Sequence, residues 1–357
     1  MSGVGSVGSG YSFLNTLVAN ALDVHQQLNT LTEQASTGLV AQTYAELGSG
    51  ASVALDLNPQ LATLQTYQNN ISQATGRMQV TQTAMTQLQQ IAATFVAAMP
   101  NLNSTSSQEV DTIAAQARDA LVQVANLLDT QDGGVYVFGG QDTANPPVPN
   151  PDSILTSTSP DFYGTINQTV SDYLNNVSGV TLSTTVTDAI ANAPFSANMQ
   201  SGTVGQQVVQ TQDGSSVRIG LLANQNASAA TTSTPTGSYM LDLMRSLAIV
   251  GSLSSTQTGD SNFMPLVQDT MTTLNGVVSA MATDVGVLGN RQSALTATQT
   301  QLSDTATALT GQVSAVQDAD MTTTLSKLTA VQTQLQMSYR MIVSEGTLSL
   351  STYLPVA

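Results

Sequence analysis

Cysteine is absent from all 357 residues, so disulfides and thiolate chemistry are excluded. Positive charge is nearly as scarce. Seven Lys and Arg stand against 23 Asp and Glu, for a net charge of −16 and a pI near 4.1. Without a basic patch, binding to nucleic acid or to an anionic membrane is disfavoured. Charged residues of both signs make up only 8% of the chain, where about 25% is usual. The polar surface must therefore be mostly Ser, Thr, Gln and Asn. Such faces are weakly solvated and easy to dock against, which favours an assembling protein. No apolar run approaches the ~20 residues that span a bilayer, so no membrane insertion is expected. The opening MSGVGSVGSG lacks the basic and apolar segments of a secretory signal, so an exported chain would take another route.

Heptads are abundant. From Phe263 to Asp320 every seventh residue is apolar: Val267, Leu274, Met281, Leu288, Leu295, Leu302, Leu309 and Val316. Four residues on, Met271, Val278, Val285, Ala306 and Val313 form a second seam, softened by Gln292 and Gln299. With no proline between Leu266 and Asp320 nothing forces a stop, and a continuous helix would be roughly 80 Å long at 1.5 Å per residue. A rod of that length needs partners from the rest of the chain. A first heptad runs through Leu14, Leu17, Ala21, Val24, Leu28, Leu31 and Ala35, and Gly38 supplies its C-cap. Residues 39–54 read as a connector. A second helix is expected from about Leu55 to Met99, with Pro59 in its first turn and Pro100 as its stop. Ser106 and Glu109 form a capping box for a third helix, which should fold back on the second as an antiparallel hairpin.

The period then changes. Val135–Phe138 lies between glycine pairs and reads as a short strand, and five prolines follow between 146 and 160. From 161 to 235 short strands and turns are expected, at Val180–Val186, Thr203–Thr211 and Ser216–Leu222, with Asp213-Gly214 turning the last hairpin. A helix at about 237–251 places Met240, Leu243, Met244, Leu247 and Val250 on one face. After Asp318 and Asp320, a helix-capping pair, the final helix carries Met321, Leu325, Leu328, Leu335, Tyr339 and Ile342. The fold class is therefore mainly α with a β-rich insert. Long terminal helices pair as a coiled-coil or bundle rod, with an outward β subdomain. The expected divisions are a terminal assembly region (1–45 and 318–357), a helical rod domain (46–142 and 236–317) and a variable β-rich domain (143–235).

Catalytic patterns fail on context. Gly3, Gly5 and Gly8 spell GxGxxG, but two residues cannot supply the strand that must precede it. His25, the one histidine, has no companions for a triad or a zinc site. Asp129, Asp132 and Gly133 lack the alternating ligands and closing Glu of a calcium loop. Asn-x-Ser/Thr triplets at Asn103, Asn167, Asn176 and Asn226 are expected by chance in a Ser/Thr-rich chain. No enzyme, cofactor or metal is expected.

Four stretches together resemble the bacterial flagellin superfamily, and within it most the hook–filament junction branch (hook-associated protein 3). Gln34, Ser36, Thr37 and Gly38 match its "Q.STG" segment. Tyr67, Asn70, Ile71 and Met78 match its second helix. Tyr136, Phe138, Gly140 and Pro147 match the junction-type "Y.F.G" segment. Leu335, Tyr339, Leu348, Ser349, Leu350, Tyr353 and Leu354 match the junction-type ending. The flagellin Ile-Asn-Thr-Asn opening is missing, which favours the junction branch over flagellin itself, the alternative.

The resemblance implies a structural subunit of the extracellular bacterial flagellum, exported unfolded by the type III route. It also implies partners: copies of itself, flagellin, other hook-associated axial proteins, and an export chaperone as a further candidate. The terminal segments would order on assembly through Leu14, Leu17, Val24, Leu28, Leu31, Leu325, Leu328, Leu335, Tyr339, Ile342, Leu350, Tyr353 and Leu354. Each Leu inserted in such a seam contributes about 1.5–3 kcal/mol against about 1–2 kcal/mol of backbone entropy per ordered residue, so neighbours must supply the balance.

Overall fold

A computed structural model of the chain describes residues 7–103, 107–156, 161–226 and 235–351. Helix makes up 71% of it, and strand is confined to two small two-stranded sheets among the described residues. The mainly α frame with a small β region is therefore as expected. Two compact units are present: one takes the chain up to Gln65 and from Ser303 onward, the other holds Thr66–Leu302. These divisions fall inside helices, inward of the boundaries expected at 45 and 318.

The first unit contains α1 (Val7–Thr37), the start of α2 (Gly50–Ala98), the end of α8 (Phe263–Gln317) and α9 (Met321–Ser351). Helix α1 stops where the sequence says it should. Gly38 takes φ +75° and its N–H donates to the Gln34 carbonyl at 2.8 Å. Helix α2 begins five residues before the expected Leu55, so Pro59 lies in its interior rather than its first turn. Its exposed position leaves the proline ring facing outward. The early start is favoured by small residues. Gly50 lies against Val316 of α8, where an added Cβ would come within 3.2 Å of the valine Cβ, and Ala54 is fully buried.

The second unit is organised around α7 (Tyr239–Gly251). All thirteen residues of α7 are buried, not one face alone as the periodicity suggests. It packs on α3 (Ser107–Leu128), α4 (Phe162–Leu174) and α5 (Leu182–Ala191). Ser238 caps its N-terminus by accepting from the Leu241 N–H, while Arg118 and Tyr163 donate to the Gly251 carbonyl at 2.6 and 2.9 Å. Ile91, Thr94 and Phe95 of α2 lie across a groove from Gln116, Asp119 and Ala120 of α3. Ser106 of the expected capping box lies outside the described residues.

Residues 143–235 correct the sequence reading. The expected strand at Val180–Val186 is the start of α5, and α4 and the short α6 (Ala197–Gln200) also occupy ground assigned to strands and turns. β-branched residues in VTLSTTVT suggest a strand. A capping box between Thr181 and Thr184 and packing against α4 and α7 make it a helix instead. The expected hairpin is present: β3 (Gln207–Gln212) pairs antiparallel with β4 (Ser215–Ile219) across Asp213-Gly214, with Gly214 at φ +70°. Val135–Tyr136 is β2, paired with β1 (Gln131–Asp132).

Along α8 the first seam is buried from Val267 to Leu302, then half-buried at Leu309 and Val316. Of the second seam only Val313 is buried. In the N-terminal half Thr270, Thr273, Val277, Ala280 and Asp284 are buried as well, because α7 lies there: Arg245 reaches Thr273 and Tyr239 reaches Asp284.

Candidate assembly surface

Helices α1 and α9 lie side by side in the first unit and run antiparallel. Their register is set at one end by a clasp between distant segments. The Val40 N–H donates to the Gln317 carbonyl at 2.7 Å, and the Ala319 N–H donates to the Gly38 carbonyl at 2.8 Å, bridging Leu39 and Asp318. Gln34 adds its side-chain amide to the Val40 carbonyl at 2.8 Å. The "Q.STG" segment thus ends a helix and joins the two ends of the chain.

Asp320 caps α9. Its carboxylate accepts from the Thr322 and Thr323 N–H groups at 2.9 and 3.2 Å and from the Thr323 hydroxyl at 2.8 Å. These hydrogen bonds hold its pKa below the usual carboxylate value, with a smaller contribution from Lys327. Asp318, by contrast, belongs to the clasp.

Inside the pair, Val24, Val331 and Leu335 form a small buried cluster with Leu28 and Leu31 packed against it. Leu17, Leu328 and Ile342 are half-buried. Leu325 and Tyr339 face outward, at 49% and 51% exposure, so neither belongs to the seam within one chain. Leu14 and Leu350 lie in the helices, with side chains outside the description, and Tyr353 and Leu354 lie outside the described residues. The sequence reading missed Val331 and Thr324, which the α9 period places on the inner face, and both are buried. It also missed an outer apolar set: Leu22, Met337, Met341 and Val343 are each more than half exposed. An open groove of about 760 Å³ runs between the helices, with Leu17, Val24, Met337 and Met341 among its walls. Within one chain α1 and α9 are helical and pair on a thin seam.

His25 is exposed on α1, Gly3 and Gly5 lie outside the described residues, and Asp129 and Asp132 serve the fold. Asp129 accepts from the Val148 N–H at 2.8 Å, and burial pushes its pKa up to about 6. Asp132 lies 3.9 Å from Arg77.

Two family descriptions match this chain. The bacterial flagellin N-terminal helical region matches residues 11–143, and the bacterial flagellin C-terminal helical region matches residues 271–354. Together they cover more than half of the chain and both members of the α1–α9 pair. The chain belongs to the bacterial flagellin superfamily. No curated protein matches it. Among solved structures, it is similar in fold to one described as a flagellar hook-associated protein from Vibrio parahaemolyticus. That match has a TM-score of 0.52 and 11% identity, over 74% of this chain and 96% of the other. Flagellin-family proteins are structural and not enzymes, and they assemble with themselves and other axial proteins in the bacterial flagellum, an extracellular appendage. This flagellin-superfamily chain is accordingly a flagellar structural subunit.

Proposed function

We propose that this subunit sits at the hook–filament junction, and that α1 and α9 join neighbouring subunits there through their outer apolar faces. The observation that carries the reading is the outward set Leu22, Leu325, Met337, Tyr339, Met341 and Val343 on a pair whose own seam buries little. Large apolar side chains gathered on one paired element mark an interaction surface. The amide- and hydroxyl-rich remainder of both helices desolvates at low cost, so closely packed copies can cover it. Leu14, Leu350, Tyr353 and Leu354 would extend the same surface toward the ends of the chain.

The junction position is supported by the junction-type segments around Tyr136 and Leu348–Leu354, and by the fold shared with a hook-associated protein. Export through the flagellar type III route, with a chaperone holding the terminal segments before assembly, fits a cysteine-free chain whose terminal seam is thin. The alternative is flagellin itself, favoured by the match to both flagellin helical regions. Quantitative mass spectrometry of sheared filaments and of the hooks left behind separates the two. Trace amounts confined to the hook end are expected. Dominance of this chain in the filament would make it a flagellin, and absence from both fractions would overturn the reading.

A further inference from the structure

The β3–β4 hairpin lies between two long helices of the second unit. Asn70 and Arg77 of α2 donate to the Gln210 carbonyl at 3.4 Å and to the Gln207 side chain at 2.6 Å on one side. On the other, Arg291 of α8 reaches the Arg218 carbonyl at 3.5 Å. Beside β4 is an open pocket of about 590 Å³, within the range that takes small ligands. Two of the chain's seven basic residues, Arg218 and Arg291, line it. No acidic residue among those described does, although acids outnumber bases 23 to 7 in the chain. Among the described residues neither arginine is within salt-bridge distance of a carboxylate. The adjoining carboxylate along the chain, Asp142, accepts from the Asn145 and Asn198 amides at 2.8 and 2.6 Å. Both arginines line the same pocket without a carboxylate partner, so an anion bound there would be attracted by both charges.

The rest of the wall is neutral and preformed. Gln141, Gln206 and Gln225 bring amides that both donate and accept, while Val204 and Leu222 supply apolar surface. The floor is held by backbone hydrogen bonds, from the Gln141 N–H to the Gly205 carbonyl at 2.9 Å and from the Ala223 N–H to the Phe138 carbonyl at 3.2 Å. Gly140, at φ +59°, makes this approach possible, because an added Cβ would run into Leu222 and the Gly205 carbonyl. The glycine that matches the "Y.F.G" segment therefore shapes the pocket.

We propose that this pocket binds an anionic monosaccharide. Its charged group lies between the Arg218 and Arg291 guanidinium groups, its hydroxyls lie on the Gln206 and Gln225 amides, and its C–H face rests on Val204 and Leu222. Guanidinium forks suit carboxylate and phosphate alike. Amides that can both donate and accept select a polyol over a bare anion.

Ligand-observed saturation-transfer NMR on the full chain tests the proposal. Glucuronate should bind with Kd below about 10 mM, and methyl glucoside and acetate each about tenfold more weakly or worse. Glucose 6-phosphate tests the other source of the charge. If it binds as well as glucuronate, the pocket reads charge on a sugar, and if it does not, the pocket selects a carboxylate. Either supports the site. The double variant Arg218→Gln/Arg291→Gln should lose at least about tenfold in affinity. Because that variant could misfold, ¹⁵N-arginine labelling of the unaltered chain gives a second reading. Among its six arginines, Arg218 and Arg291 should shift on titration. Acetate binding as tightly as glucuronate, an unweakened double variant, or no shift at either arginine would overturn the proposal.

Discussion

Helices α7 and α9 are both rich in Met and Leu, and in isolation each would be read as one apolar face and one polar face. Their surroundings differ. Every residue of α7 is buried, down to Asp242 and Arg245, whereas on α9 the buried side chains among those described are Thr324, Val331 and Leu335. Helix α7 is enclosed by its own unit, which supplies partners to some of its polar groups and leaves Asp242 Oδ2, Arg245 Nε and Ser246 Oγ without a hydrogen bond among the described residues. Arg245 donates to the Thr185 and Thr273 hydroxyls at 3.1 and 3.3 Å and lies 3.8 Å from Asp242, which also accepts from the Thr236 N–H at 3.0 Å. Helix α9 has a single companion and leaves its outer apolar side chains open. Apolar content alone does not separate a core helix from an interface helix. The number of neighbouring elements does.

Breaking the thin seam should give the largest effect. Leu335→Asp puts a charge into the Val24–Val331 cluster, costs at least about 2 kcal/mol of pairing, and should abolish incorporation into flagella. The α7 core should melt as before, as followed by thermal circular dichroism. Normal incorporation of this variant would show that the pair is not the assembly element.

The enclosed helix should respond in the opposite way. Arg245→Ala leaves Asp242 buried without its counter-charge and should cost about 3–5 kcal/mol in denaturant unfolding, while Arg245→Met, which refills the space, costs less. Burial pushes the Asp242 pKa up and the Arg245 pKa down, each opposed by the other's charge, so the pair persists because both partners are present. Equal losses for the two variants would mean that the missing counter-charge, which both share, sets the cost and the vacated volume contributes nothing.

A smaller effect separates the units by pH. The folded pKa of Asp129 is raised from 3.8 to about 6, so its ionisation is disfavoured in the fold. The stability linked to this group is full below about pH 4 and is lost as pH rises through 6. Asp129→Asn keeps an acceptor for the Val148 N–H. It should be more stable than the parent at pH 7, by about 1 kcal/mol after screening at a half-exposed site, and no different at pH 4. Melting curves at the two pH values check this. The smallest change is expected at the clasp. Gly38→Ala finds open space but strains a φ of +75°, for a loss of about 1 kcal/mol or less confined to the first unit.

Much of this comparison was legible in the sequence. The heptads of α1, α8 and α9 and the Gly38 stop lie where periodicity and capping put them, because those signals are local. The nature of α5 was not legible, since its Thr- and Val-rich run favours a strand until α4 and α7 pack on it. Nor was the position of Pro59, because small residues upstream let α2 begin early. On the assembly surface, Leu28, Leu31 and Leu335 fall on the seam as the heptad requires. Leu325 and Tyr339 do not, because a seam shared by only two helices is narrower than the apolar stripe that offers it. The pairing of Arg218 with Arg291 has no sequence signature, since β4 and α8 come together only in the fold.

The clasp between Gly38 and Ala319 also sets an order of events. About 280 of the 357 residues lie between these two, so closing that loop carries an entropic cost and belongs late in folding. The α1–α9 pair forms only once the last helix is in place, so a chain whose α9 is missing or unfolded presents α1 alone, without the inner face that Val331 and Leu335 provide.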